Sequence, residues 1–208
     1  MANEPRPRIP ISADWILKRI QEGKNVLLKN AAIHGDLDIN KLDLPTQHIE
    51  RTEVQKRMCW TEDVKVVESW INITNSTFEG NLNLRNSYFS GTAFFAGATF
   101  SKHANFDGAT FIGPMGFEKA TFSGLAGFYA ATFSGHAAFD GATFIGIALF
   151  KEATFSEYTV FEEAIFGEVA EFDEATFRRY AGFKKATFSG HAAFKWSDFQ
   201  RGCRVRRS

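Results

Sequence analysis

The chain has 208 residues, with 24 Lys and Arg against 24 Asp and Glu, 23 Phe and 2 Cys. A formal net charge of zero removes the global electrostatic case for direct nucleic-acid binding or for an anionic membrane surface. Cys59 and Cys203 are too far apart to suggest a disulfide framework or a zinc pattern. Residues 1–8 lack an apolar signal core, and no window approaches about 18 consecutive apolar residues. The expectation is a soluble, cytoplasmic protein without a membrane span.

Residues 1–24 read as an arm and a capping helix. Residues 1–10 are polar and proline-bearing, which predicts a mobile or loosely draped arm. Ser12 then has the chemistry of a helix N-cap, Ile11 and Ile16 that of a hydrophobic staple, and Asp14 suits the positive helix end. Trp15, Ile16 and Ile20 form one apolar face, and Gly23 closes the helix. So short a one-sided helix is not stable alone, so it is expected to cover the exposed end of a core.

Residues 25–45 read as a first, irregular coil. Leu28, Ile33, Ile39 and Leu44 are spaced 5, 6 and 5 apart, with Val26, Ala31, Leu37 and Leu42 two residues before them. Residues 46–66 break this rhythm and are strongly polar, which predicts an insertion loop with room for a short hairpin. Insertions in regular solenoids often carry specific contacts; a tolerated excursion is the plainer reading.

Residues 67–199 repeat. From Phe95 to Phe199 the phenylalanines step by 5 and 6 without a miss, Leu84 fills a skipped node, and Ile73 and Val67 extend the grid backward. The structural core is assigned to this grid, centred on Phe100, Phe106, Phe111, Phe117, Phe122, Phe128, Phe133, Phe139, Phe144 and Phe150. On a helix of roughly 3.6 residues per turn, a five-residue step would throw the two Phe series onto different faces, and the recurrent Gly and Thr are poor helix formers. Strand periodicity fits instead. A small residue, usually Ala, stands two before almost every Phe, so both point inward from a strand about three residues long. Glycine two past the node, at Gly80, Gly91, Gly97, Gly108, Gly113, Gly124, Gly135, Gly141 and Gly146, is expected to supply each corner through a left-handed backbone. Four sides of 5, 6, 5 and 6 residues close a square coil of 22, with like residues stacked at roughly 4.8 Å.

Units such as Ala142-Thr-Phe-Ile-Gly146 and Ala137-Ala-Phe-Asp-Gly141 resemble those of the pentapeptide-repeat proteins. In that family a central Leu or Phe follows a small residue by two, and four units make one coil. The resemblance covers about two-thirds of the chain. It implies an all-β solenoid, a right-handed quadrilateral parallel β-helix behind the short N-terminal capping α-helix. Two features depart from the family pattern: the extra residue in every second unit, and a core made almost entirely of Phe.

Outside the core, Thr at 77, 99, 110, 121, 132, 143, 154, 176 and 187 predicts hydroxyl ladders on two opposite faces, interrupted at Tyr88, Ile165 and Asp198. Thr stacks well on itself in sheets; ice binding is the sharper, remote alternative. An acidic interaction band comprises Glu152, Glu157, Glu162, Glu163, Glu168, Glu171, Asp173 and Glu174, with Lys151 as the one opposing charge. Some members of the resembled family imitate DNA and bind type II topoisomerases such as gyrase, so the resemblance implies a DNA-mimic inhibitor or modulator as the alternative function. A solvated surface is the plainer reading. The sign then reverses through Arg178, Arg179, Lys184, Lys185 and Lys195 into a basic tail, 200–208. With no helix to cap the last Phe layer, an end-to-end homodimer is consistent with the resemblance. No nucleophile–base pair, carboxylate pair or phosphate loop stands out from the repeat, and no cofactor or metal is expected. The functional expectation is a non-enzymatic structural and interaction protein whose β-helical surface and 46–66 loop meet an unidentified protein partner.

Overall fold

The structure, a computed structural model, describes residues 8–200. The regular strands are only two residues long, as in Thr110–Phe111, Met115–Gly116, Thr121–Phe122 and Ala126–Gly127. Such strands satisfy their backbone groups only by stacking on the next coil. Thr121 N donates to Ala98 O at 2.8 Å and Ser123 N to Phe100 O at 2.9 Å. Repeated up the chain, these four strands become the first, second, third and fourth sides of a square tube. Their sheets hold eight, seven, eight and seven strands respectively. Register is strict: Thr99 faces Thr121 and Phe100 faces Phe122. The chain is therefore a parallel β-solenoid with about 22 residues per coil and a small N-terminal helix.

The inward Phe rings form four stacks. Phe122 and Phe144 lie 4.8 Å apart and within 2° of parallel, and Phe139 and Phe161 lie 4.7 Å apart at 5°. Carbon atoms make contact at about 3.5–4.0 Å, so parallel rings at the coil spacing are slipped along one another, the favoured offset arrangement. Neighbouring stacks meet edge to face, as Phe128 and Phe139 do at 5.6 Å and 89°. Phe100, Phe106, Phe111, Phe117, Phe122, Phe128, Phe133, Phe139, Phe144 and Phe150 are all buried, and alanines fill the space between the stacks.

The 5/6 rhythm corresponds to two kinds of corner. Five-residue steps follow the nodes of the second and fourth sides and close as β-turns, with Ala98 N donating to Phe95 O at 2.9 Å and Ala120 N to Phe117 O at 2.9 Å. The third residue of each turn has positive φ. That residue is Gly97, Gly108 or Gly141 at three of these turns, but Lys119, Ala130, Glu152, Glu163, Glu174, Lys185 or Trp196 at others. Six-residue steps follow the other two sides, and from Gly80 onward their glycines are not left-handed. Gly113, Gly124, Gly135 and Gly146 sit against the backbone of the coil below; a Cβ on Gly135 would stand 2.7 Å from Gly113 C and O. The expectation of left-handed glycine at every corner therefore holds at only some. At the rest, close stacking excludes the side chain.

The amino-terminal end is closed by local chemistry. Ile9–Ser12 (β1) pairs in parallel with Ala31–His34, so these residues form a strand where a draped arm was expected as far as residue 10; residues 1–7 lie outside the described ones. Ser12 Oγ accepts from Trp15 N at 3.2 Å and starts helix α1, Ala13–Gln21. Its buried face is Ala13, Ile16, Leu17 and Ile20. Trp15, expected on that face, is 41% exposed and carries the Arg19 guanidinium over its ring at 5.1 Å. Ile16 and Ile20 meet Leu37, Ile71, Ile73, Leu82, Leu84 and Phe95 around a gap of only about 10 Å³. Aliphatic residues replace Phe in these first coils, which leaves room for the helix to seat.

Two substitutions test this packing. Phe139→Ala removes a ring stacked on both sides and should cost about 3–5 kcal/mol; an unchanged melting temperature would refute its core placement. Gly135→Ala should cost about 1–3 kcal/mol through backbone overlap. Gly141→Ala should cost only about 1 kcal/mol, because its added Cβ meets nothing nearer than Lys119 Cγ at 3.5 Å and Lys119 and Glu163 hold the same conformation in adjacent coils. Denaturant titration of the two variants measures the difference.

Candidate interaction site

Residues 46–62 leave the tube at the corner between its fourth side and the next first side. Thr46–His48 (β2) runs antiparallel to Asp63–Val67 (β3), with Gln47 opposite Val64. β3 is itself a first-side strand, pairing in parallel with Ser87–Phe89. β2 thus takes, in reverse, the place a strand of the preceding coil would occupy. The polar segment also holds a helix that its composition did not suggest, Glu53–Arg57 (α2). Thr52 and Gln55 close its start as a reciprocal capping box.

This excursion is a strap along one corner column. Asn86, Gly108, Ala130 and Glu152 succeed one another there, one per coil, all with positive φ. Arg51 is buried to 2% exposure. Its Nε donates to Thr61 O at 2.7 Å, its Nη1 to Gly108 O at 3.3 Å and its Nη2 to Asn86 Oδ1. Burial pushes the guanidinium below its ordinary pKa, yet arginine stays charged. Gln55 Nε2 donates to Ala130 O at 2.9 Å, and Arg57 lies 3.7 Å from Glu152. Three strap side chains therefore engage four successive corners. Trp60 packs on Gly108, where a Cβ would stand 2.3 Å from the indole. The same indole meets Tyr129 edge-on at 6.0 Å and the Arg85 guanidinium at 5.4 Å.

Where the strap ends, Val54, Arg57, Met58, Tyr129, Lys151, Glu152 and Glu174 line an open cleft of about 310 Å³. Tyr129 donates its hydroxyl to Glu152 Oε1 at 3.2 Å. Burial, and then the Glu152 charge, push the phenol above its ordinary pKa. Asp107, one coil below, accepts from Tyr129 N at 2.9 Å, and burial raises its carboxyl.

The acidic residues are not gathered on one patch. Glu152, Glu157, Glu162, Glu163, Glu168, Asp173 and Glu174 lie at successive corners and Glu171 on the fourth side, so that together they encircle the tube. Several meet cations or donors one coil away: Arg179 reaches Glu157 at 3.3 Å, Lys185 reaches Glu163 at 3.0 Å and Lys195 N donates to Asp173 at 2.7 Å. Lys151 lies 3.8 Å from Glu174, and Tyr180 donates to Glu162 at 3.2 Å. The signal for the cross-coil pairs was present in the sequence as opposite charges 22 residues apart. Nothing comparable announces Arg51, whose acceptors depend on the path of the strap. The Thr ladders lie on the first and third sides, with Thr110, Thr132 and Thr154 in register on one and Thr99, Thr121 and Thr143 on the other. His103 Nδ1 accepts from Leu125 N at 3.1 Å, a corner contact. Among the described residues no group of His, Cys, Asp and Glu is placed to hold a metal, and no helix is long and apolar enough to cross a membrane.

A four-sided parallel solenoid with alternating small and Phe residues inside defines a β-helical repeat protein. A family model for pentapeptide repeats (9 copies) matches residues 73–121, 117–165 and 139–185, more than half of the chain, and the protein belongs to that family. No curated protein and no solved structure matches it significantly.

Arg51→Met should expose the meaning of the buried guanidinium. It leaves three acceptors without their donor, at about 1–3 kcal/mol for a buried group, and protease should then cut first within 46–62. Arg51→Lys should not restore protection, since one ammonium cannot reproduce the planar fork. Equal cleavage rates in wild type and Arg51→Met would overturn the strap's anchoring.

Proposed function

We propose that this protein is a non-enzymatic interaction scaffold that meets a protein partner at its strapped corner. Membership of the pentapeptide-repeat family and the β-helical fold support a structural or interaction role. The observation that carries the finer reading is the buried anchoring of the strap. Arg51, Gln55 and Trp60 hold α2 against three successive coils and Arg57 adds a fourth, while Met58, at 47% exposure, and the cleft beside it face outward. A pre-ordered contact surface loses little conformational entropy on binding. The topoisomerase reading has less support, because the acids encircle the tube and several are met by cations one coil away. The rings of the last coil, Phe188, Phe194 and Phe199, are only partly covered by described residues, which supports an end-to-end contact between two copies.

The test is affinity capture from cells with the full chain and with a variant whose residues 49–62 are replaced by Asn-Gly, closing the β2–β3 hairpin directly. The full chain should retain a partner that the variant loses. Retention of the same proteins by both would sink the assignment to the strap.

A further inference from the structure

The second side of the tube carries a feature that the strap does not explain. Its outward residues run Phe94, Gly116, Ala138, Val160 and Gly182, in register from coil to coil. No charge occurs in this row. The corner column before it is Pro114, His136, Tyr158 and Tyr180; the column after it is Glu118, Asp140 and Glu162, with Lys184 closing it beside Gly182. One wall is thus largely aromatic, the other acidic over three coils up to Lys184, and the floor between them small and apolar.

The ends of this floor are closed by side chains that lean over glycine. Phe94 and Glu118 lie over Gly116, where an added Cβ would stand 2.7 Å from Phe94 Cδ1 and 2.6 Å from Glu118 Oε2. Tyr180 lies over Gly182, at 2.7 Å from the same construction, and its hydroxyl bonds Glu162 at 3.2 Å. Between these ends, about 14 Å apart for three coil steps, Ala138 and Val160 floor a shallow dish. His136 and Tyr158 stand on one side, their rings 5.6 Å apart, and Asp140 stands on the other. Tyr158 also lies 5.9 Å from Tyr180 and is 50% exposed.

Two local facts describe what the dish lacks. Glu118 Oε2 is buried without a hydrogen-bond partner. Asp140 is held above the ordinary carboxyl range by burial first and then by repulsion from Glu118 and Glu162. An acidic wall facing aromatic rings across an uncharged floor is the arrangement that receives a cation, through carboxylate contact on one side and the ring quadrupole on the other.

We propose that this dish is a docking surface for an extended, arginine- or lysine-bearing segment of a protein partner. The small floor lets the segment's backbone lie close, its cationic side chains face Asp140, Glu118 and Glu162, and Tyr158 covers them. The proposal rests on the interaction-scaffold reading and adds the chemistry of what is bound, on a side of the tube separate from the strapped corner.

The probe is acetyl-(Gly-Arg)4-amide, titrated into the full chain at low salt and followed by amide chemical shifts. Shifts should concentrate at residues 116–118, 136–140, 158–162 and 180–182. Glu118→Gln with Asp140→Asn should weaken binding about tenfold, and Tyr158→Ala about fivefold. Thr121→Val, on the third side, should leave it unchanged, and so should the Asn-Gly replacement of the strap. That last variant separates the two readings, because loss of partner capture with intact peptide binding removes only the strap. The variants at Glu118, Asp140, Tyr158 and Thr121 should keep the wild-type melting temperature. No binding, shifts elsewhere, binding indifferent to the carboxylates and Tyr158, or equal affinity for spermidine would each overturn the proposal.

Discussion

Two-residue strands have no stability of their own, so this molecule depends on the stacking of equivalent residues one coil apart. Backbone ladders, Phe stacks at 4.7–5.4 Å and alanine columns all follow the same coil repeat. A coil of about 22 residues is therefore a constraint on every position at once. One inserted residue would move inward side chains outward and break the ladders on all later sides. The first coil tolerates its large insertion because residues 46–62 leave and return at one corner: Val26 faces Ile71 and Leu37 faces Leu82, the register resuming 45 residues on.

The same spacing governs the surface. Charges that look like consecutive acidic and basic blocks along the chain become vertical neighbours when wrapped, as Glu163 and Lys185 do. Exposed pairs of this kind add little stability, but they remove the net field that an acidic band would otherwise project. Corners obey a related logic. A left-handed residue closes each tight turn, and glycine is not required for it, whereas the wider corners place glycine where the coil below leaves no room for a side chain.

Departures from the repeat mark where the molecule becomes individual. The strap fastens to turn carbonyls that a bare solenoid would expose to water, and it does so with a buried arginine whose removal strands several acceptors. On the second side, replacement of the Thr ladder by Gly, Ala and Val produces a floor instead of a hydroxyl row. Both features exploit a rigid frame that supplies many equivalent positions, of which a few are altered.

The periodicity of Phe, the small residue two before it and the 5/6 step were enough to specify four inward columns and a square coil, because each is set by contacts between residues at regular spacing, while the capping chemistry of Ser12 placed the start of the helix. The interruptions of the Thr ladders at Tyr88 and Ile165 were legible for the same reason. Trp15 was misplaced because a helix face is decided by what lies beneath it, and Leu17 met the core instead. The glycine corners were half misread, since a composition cannot distinguish a backbone needing positive φ from one pressed against its neighbour. Arg51, Gln55 and Trp60 carried no periodic signal at all. Their partners, Gly108 and Ala130, are 57 and 75 residues away from Arg51 and Gln55 and become neighbours only because the chain wraps between them. Local repetition thus determined the frame, and only the tertiary path of an aperiodic segment decided which corners it would cover.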